Sequence, residues 1–160
     1  MSNLEDIPQV VATQKSQRRP KSRRQFGGGD QHQDACQACI LECTLCVATC
    51  LACQICCQTS KDCSSKRNDC DQVCTFCIQK CRECIEACRT HLNMCVNDLC
   101  IQTCKACIQK CQQCIQACQH CAQTCLLGSS DECSQACASC QLACDECILA
   151  CDSCLKNSCH

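Results

Sequence analysis

Residues 77–88 read CIQKCRECIEAC, and residues 107–118 repeat them almost unchanged as CIQKCQQCIQAC. In both segments the step from one cysteine to the next alternates between four and three residues. This alternation places the thiols on one face of an α-helix, at the a and d positions of a heptad repeat. Four runs of cysteine between residues 36 and 154 keep the same alternation. Each run therefore predicts one helix with a single stripe of thiols on its inner face.

The segments between the runs are short and carry helix-stop and helix-start signals. Gly128 can end the third helix, and Ser129 with Glu132 forms a capping box for the fourth. Asn97 or Asp98 can cap the third helix. Cys63 and Cys95 lie seven residues outside the second run, so this helix is expected to begin near residue 60. Short connections favour antiparallel neighbours. The predicted fold class is all-α, an antiparallel four-helix bundle with a cysteine-lined core.

Composition supports a cysteine-filled interior. Cysteine supplies 32 of 160 residues, whereas the chain has two Phe and neither Trp nor Tyr. Residues 1–33 hold both prolines, three of four glycines, and six basic against three acidic residues. We therefore expect 1–33 to be a disordered basic tail that includes His32, and 34–160 to be the bundle domain. His120 is expected on the surface.

Four inward stripes predict a channel of closely spaced sulfurs, with i, i+4 pairs able to grip a small ion. Soft thiolates select Cu(I), and one Cu(I) per bridging thiolate leaves a buried core neutral. His91 takes a stripe position beyond Cys88, and Met94 follows it. We expect these two at one end of the core, where metal enters and leaves. The predicted ligands of multiple Cu(I) ions are Cys36, Cys39, Cys43, Cys46, Cys50, Cys53, Cys57, Cys63, Cys70, Cys74, Cys77, Cys81, Cys84, Cys88, His91, Met94, Cys95, Cys100, Cys104, Cys107, Cys111, Cys114, Cys118, Cys121, Cys125, Cys133, Cys137, Cys140, Cys144, Cys147, Cys151 and Cys154.

Other interpretations of the stripes stay open. A zinc or cadmium thiolate sink would use the same sulfurs in tetrahedral sets, and a disulfide-stabilised structural bundle would pair them across helices. Iron–sulfur carriage fits less well, because those clusters use a few unevenly spaced cysteines. No catalytic constellation is visible, so we expect no enzyme. The net charge of −1 and the lack of aromatics argue against nucleic acid, and no apolar run reaches a membrane span.

The repeated C-x-x-x-C pairs on four helices, from about residue 34 to 159, resemble the bacterial copper storage protein family. The resemblance implies a bundle that stores many Cu(I) ions, forms a homotetramer, and exchanges copper with a chaperone or chelator. Cytosolic and exported members both exist. Arg23-Arg24 is similar to a twin-arginine signal, yet Gly27-Gly28-Gly29-Asp30 follows instead of an apolar segment. We therefore expect a cytoplasmic protein, with twin-arginine export as the alternative, because free thiols suit a reducing compartment.

Overall fold

The computed structural model describes residues 27–60 and 62–158. Four helices follow one another along the chain: α1 Gly27–Thr59, α2 Ser64–Leu92, α3 Asp98–Leu127 and α4 Ser130–Asn157. The described residues contain no strand. The predicted all-α four-helix bundle with a cysteine-lined core is confirmed.

The helices form a ring in which each packs against two neighbours, in the order α1, α2, α3, α4 and back to α1. Contacts between sulfurs set the directions. Cys36 of α1 contacts Cys84 of α2, and Cys50 contacts Cys70. Since the second number falls as the first rises, α1 and α2 run in opposite directions. The other three neighbouring pairs show the same reversal.

Side chains cap the helices where the sequence indicated. The Asn97 carboxamide oxygen accepts a hydrogen bond of 3.0 Å from the Cys100 backbone N–H at the start of α3. At the start of α4, Ser129 Oγ accepts from the Glu132 N–H at 3.2 Å, and Glu132 Oε1 accepts from the Ser129 N–H at 2.9 Å. Each bond satisfies a backbone donor that has no partner within the helix. The predicted cap at Asn97 and the predicted capping box are confirmed.

The observed helix ends differ from the prediction at three places. Helix α1 begins at Gly27, so the last part of the expected tail, including His32, belongs to the bundle. Helix α2 begins at Ser64 rather than near residue 60, and it ends at Leu92. Cys95 therefore lies beyond the helix and not on its stripe. Residues 1–26 of the expected tail lie outside the described residues.

Branched side chains beside the thiols widen the apolar face of each helix. Ile85, which directly follows a stripe cysteine, is buried, and seven other branched residues that directly follow a stripe cysteine pack partly buried against the thiol core. These others are Ile40, Val47, Ile78, Ile108, Ile115, Ile148 and Leu155. The core therefore consists of small thiols flanked by a thin layer of aliphatic groups.

Among the four helices described, α1 alone combines the length and the apolar composition of a membrane span. Contrary to the expectation from the sequence, its segment Gln31–Thr59 is long and apolar enough to cross a membrane, judged by length and composition alone. A core helix of a bundle passes the same test, and here the cysteine stripe contributes much of the apolar content. Those thiols face the other three helices and are buried among them.

Candidate metal-binding core

The thiols of the four cysteine runs lie in the interior of the bundle. Every cysteine of these runs is buried except Cys57, which is half-buried. Cys63, which precedes α2, is also buried, and Cys95 packs half-buried against the core. Cys56 is off the stripe and half-buried, with its thiol 3.9 Å from the Asp62 carbonyl oxygen. The sequence pattern thus identified the buried thiols, and Cys159 lies outside the described residues.

The sulfurs form a continuous network along the bundle axis. Within one helix, the Sγ atoms at i and i+4 are 4.0 Å apart for Cys39 and Cys43, and 3.9 Å apart for Cys46 and Cys50. Many contacts between helices are shorter. Cys50 lies 3.5 Å from Cys70 of α2, and 3.9 Å from Cys121 on the opposite helix α3. Partners on other helices therefore complement the i, i+4 pairs that the sequence suggested.

Groups of four ligand atoms recur through this network. Cys39, Cys43, Cys81 and Cys147 form one such group, in which all the sulfurs lie within 4.8 Å of one another. Cys39 also belongs to a second group, with Cys84, Cys111 and Cys151. Because the groups share members, the core is a set of overlapping sites. A sulfur that belongs to two groups would bridge two neighbouring ions.

Protonation of the thiols follows from their surroundings. Burial raises the pKa of the Cys53 and Cys57 thiols, because the thiolate loses its hydration. Among the described residues, the buried polar or charged side chains are His32, His91 and Ser134. Without a buried Lys or Arg among them, thiolates in the middle of the core have no counter-cation. A metal ion that binds there must therefore displace protons and supply the positive charge itself.

One end of the core, which we call the histidine end, contains His32, His91, Cys100, Cys104 and Cys154. The expectation that His32 belongs to a tail was wrong. Its ring is fully buried and stacks on the ring of His91, with centroids 4.3 Å apart and an interplanar angle of 7°. His32 Nε2 lies 3.3 Å from Cys154 Sγ, and His91 Nε2 lies 3.3 Å from Cys100 Sγ. His32 stands four residues before Cys36, which continues the stripe by one step and would have identified it.

At the histidine end, the pKa values of His32 and Cys104 are shifted in opposite directions. Burial lowers the pKa of His32, but hydrogen bonds to Cys104 and Cys36 outweigh it and raise this pKa to about 10. Hydrogen bonds with Cys154 and Cys88 lower the pKa of the Cys104 thiol, against the opposing effect of burial. His32 and Cys104 therefore approach an imidazolium–thiolate pair when no metal is bound.

Met94, in contrast to His91, is not buried at the histidine end. Its side chain is 59% exposed, because α2 ends at Leu92 and the chain leaves the helical register before residue 94. His91, the last stripe position within α2, is buried as expected. Of the two residues predicted at the mouth of the core, His91 is buried and Met94 is exposed.

The opposite end, which we call the arginine end, contains Arg67, Cys57, Cys125, Cys133 and Gly128. The Arg67 guanidinium donates hydrogen bonds to the carbonyl oxygens of Gly128, of Ser129 at 3.4 Å and of Thr124 at 3.5 Å. At this same end, Cys125 Sγ and Cys133 Sγ are 2.9 Å apart. Arg67 takes a stripe position three residues before Cys70, where the alternation of cysteines is interrupted.

Gly128 lets the α3–α4 connection pass close to these groups. A Cβ atom there would lie 2.8 Å from Glu132 Oε1 and 2.9 Å from the Thr124 carbonyl oxygen. Both distances are shorter than real contacts of a methyl group, so a larger residue would displace the capping box. The connection stays tight enough for Arg67 to reach its carbonyls.

Comparison of the chain with family models, with curated proteins and with solved structures gave no match. The candidate site therefore rests on its own geometry.

Proposed function

We propose that this protein stores or sequesters many Cu(I) ions as thiolate complexes inside the bundle. The observation that carries the proposal is the continuous network of buried sulfurs, spaced at 2.9–4.0 Å across helices, without a buried Lys or Arg among the described residues. Soft thiolates favour Cu(I), and the close spacing lets two or three sulfurs contact one ion. Overlap between groups lets each sulfur bridge two ions.

Charge balance favours a monovalent ion in this core. One Cu(I) per bridging thiolate leaves the interior neutral, so no counter-ion is needed. Each isolated Zn²⁺ site with four thiolates would leave a charge of about −2 in surroundings where the described residues bury no Lys or Arg to offset it. Buried uncompensated charge is costly, and this cost increases with every site that is filled.

A zinc or cadmium sink is the second candidate, because groups of four sulfurs within 4.8 Å of one another have the size of a tetrahedral site. Only part of the network can be filled this way without sharing. Cys39 belongs to two groups, so two unbridged Zn²⁺ ions compete for its thiolate. A zinc sink thus uses fewer ions per thiol than a copper store.

An anaerobic Cu(I) titration of the reduced full chain against a competing chelator tests the proposal. We expect tight uptake of between about half an ion and one ion per thiol, with helicity retained. Uptake of only a few equivalents, or tight Zn²⁺ binding at one ion per four thiols, would reject copper storage. Cys118→Ser, in the middle of the core, should lower the number of Cu(I) ions bound. Its matched control is Cys56→Ser, off the stripe, which should bind as many ions as the wild type does.

We also propose that the protein works in a reducing compartment, because its uptake needs free thiols. The closest core sulfurs, Cys125 and Cys133, should be the first pair lost on oxidation. Counting the thiols of the protein as isolated from cells, after alkylation under acid, tests this. Extensive disulfide formation in that sample would instead favour the structural bundle.

A further inference from the structure

The histidine end holds a ligand set that differs from the all-sulfur groups of the core. His32, Cys88, Cys104 and Cys154 each come from a different helix, α1 to α4 in turn. Their ligand atoms all lie within 4.8 Å of one another, and all four residues are buried. We propose that these four residues form a tetrahedral site for one divalent ion of the Zn²⁺ type at the end of the copper store, with Cys88 and Cys154 shared with the neighbouring all-sulfur group.

Distances between the ligand atoms fit a tetrahedron around zinc. With Zn–S bonds of about 2.3 Å and a Zn–N bond of about 2.0 Å, tetrahedral edges are about 3.8 Å between sulfurs and about 3.5 Å between nitrogen and sulfur. His32 Nε2 lies 3.5 Å from Cys88, 3.9 Å from Cys104 and 3.3 Å from Cys154. Cys104 and Cys154 are 3.5 Å apart. The four atoms already surround a volume of the right size.

Orientation of the His32 ring is set from outside the site. Ser158 Oγ lies 3.4 Å from His32 Nδ1, on the side of the ring away from the sulfurs. When Nδ1–H donates to this hydroxyl, the lone pair of Nε2 points at the three thiols. Histidine ligands of metals are held in this way by a partner on the second nitrogen, which fixes the tautomer.

Charge explains why a divalent ion suits this site better than the rest of the core. Three thiolates and a neutral imidazole around Zn²⁺ leave a charge of −1, whereas four thiolates leave −2. A monovalent ion held by the same three thiolates would also leave −2. Replacing one thiolate by imidazole therefore lowers the cost of a divalent ion at this one end of the bundle.

Binding there would fasten the start of α1. His32 lies near the first turns of α1, and the other three ligands are spread over the three remaining helices. An ion held by one ligand from each helix links the four helices at the histidine end. The site thus has a structural consequence that does not depend on copper storage.

The test is a Zn²⁺ titration of the reduced, copper-free full chain, followed by ¹⁵N NMR of the imidazoles and by chelator competition. We expect the first equivalent to shift the His32 Nε2 signal. His32→Gln should weaken binding of that equivalent by at least about 100-fold, and Ser158→Ala by roughly 10- to 100-fold with the Nε2 shift retained. His120→Gln, on the exposed surface, is the matched control and should bind as the wild type does.

A first equivalent that leaves the His32 signals unmoved would overturn the site, as would a folded His32→Gln chain that binds it with wild-type affinity. Ser158→Ala keeps all four ligands, so it tests the site even where His32→Gln lowers helicity. Copper capacity is measured separately. Few Cu(I) ions together with this one Zn²⁺ ion would reject storage alone.

Discussion

The two ends of the thiol core differ in the nitrogen group that interrupts the cysteine stripe. At the histidine end, His32 and His91 direct ring nitrogens at sulfur atoms. At the arginine end, Arg67 directs its guanidinium at backbone carbonyls of the α3–α4 connection. A neutral imidazole can offer a lone pair to a metal, whereas a guanidinium has no free lone pair and only donates hydrogen bonds. We therefore expect metal exchange at the histidine end and a fixed closure at the arginine end.

Copper loading should have the largest effect on stability. It should also protect both ends of the core from hydrogen exchange to a similar degree. The apo core holds small thiols and few large apolar groups, so metal–thiolate bonds should supply much of the stability. A ligand at 100 times its Kd adds about 2.7 kcal/mol per site, and each kcal/mol raises Tm by about 2–4 °C in a chain of this size. We expect Tm to rise by more than about 20 °C, measured by circular dichroism under reducing conditions.

An unchanged melting curve after loading would count against a core site. The sharper readout is hydrogen exchange of the two ends. Residues near His32 and near Arg67 should both gain protection on loading if copper fills the whole stripe. Protection confined to one end would mean that the ions cluster there.

Arg67→Gln should destabilise the apo protein at the arginine end. The change removes charged hydrogen bonds to carbonyls of the connection, and bonds of this kind contribute about 2 kcal/mol in total. A Tm lower by about 4–8 °C is expected in a thermal melt of the metal-free chain. Arg82→Gln is the control, since Arg82 is exposed on the same helix. Equal Tm values for the two variants would remove the structural role of Arg67.

His91→Ala should slow copper uptake without a matching loss of capacity. The variant removes the imidazole that faces Cys100 and stacks on His32, which leaves fewer exchangeable ligands at the proposed entrance. Stopped-flow mixing with a Cu(I)–chelator complex should show uptake slower by at least about tenfold.

Two variants frame that measurement. Arg67→Gln should load at the wild-type rate, because its end is not the entrance. Met94→Leu should also load normally, since this side chain is largely exposed to solvent. Uptake that is slowed by Arg67→Gln instead of His91→Ala would reverse the assignment of the two ends.

The sequence predicted the middle of the molecule better than its ends. Strict alternation of three and four residues identified the buried thiols and the four helices, because burial follows helical periodicity. The same alternation, continued by one step, reaches His32 in α1 and Arg67 in α2. Three glycines at 27–29 suggested a tail and concealed the role of His32. Arg67 was missed because a lone arginine between polar residues is typical of a solvent-exposed helix surface.

Distances between helices could not come from the pattern. Short sulfur contacts, such as Cys50 with Cys70 at 3.5 Å, depend on how the helices pack, and periodicity only sets which face is buried. Met94 shows a second limit of the pattern. It follows His91 closely in sequence, but the helix ends between them and the Met94 side chain is exposed.

The smallest expected effect concerns the charge on His32 in the metal-free protein. Its pKa is raised from 6.5 to about 10, so the folded state favours the protonated ring. The stabilisation is complete below pH 6.5 and is lost as the pH rises through about 10. Urea unfolding of the reduced apo wild type and His32→Gln should therefore differ by at least about 1 kcal/mol more at about pH 6 than at about pH 10. A difference that grows with pH would mean that the buried ring is neutral in the folded protein, and the histidine end would then hold no imidazolium to compare with the guanidinium of Arg67.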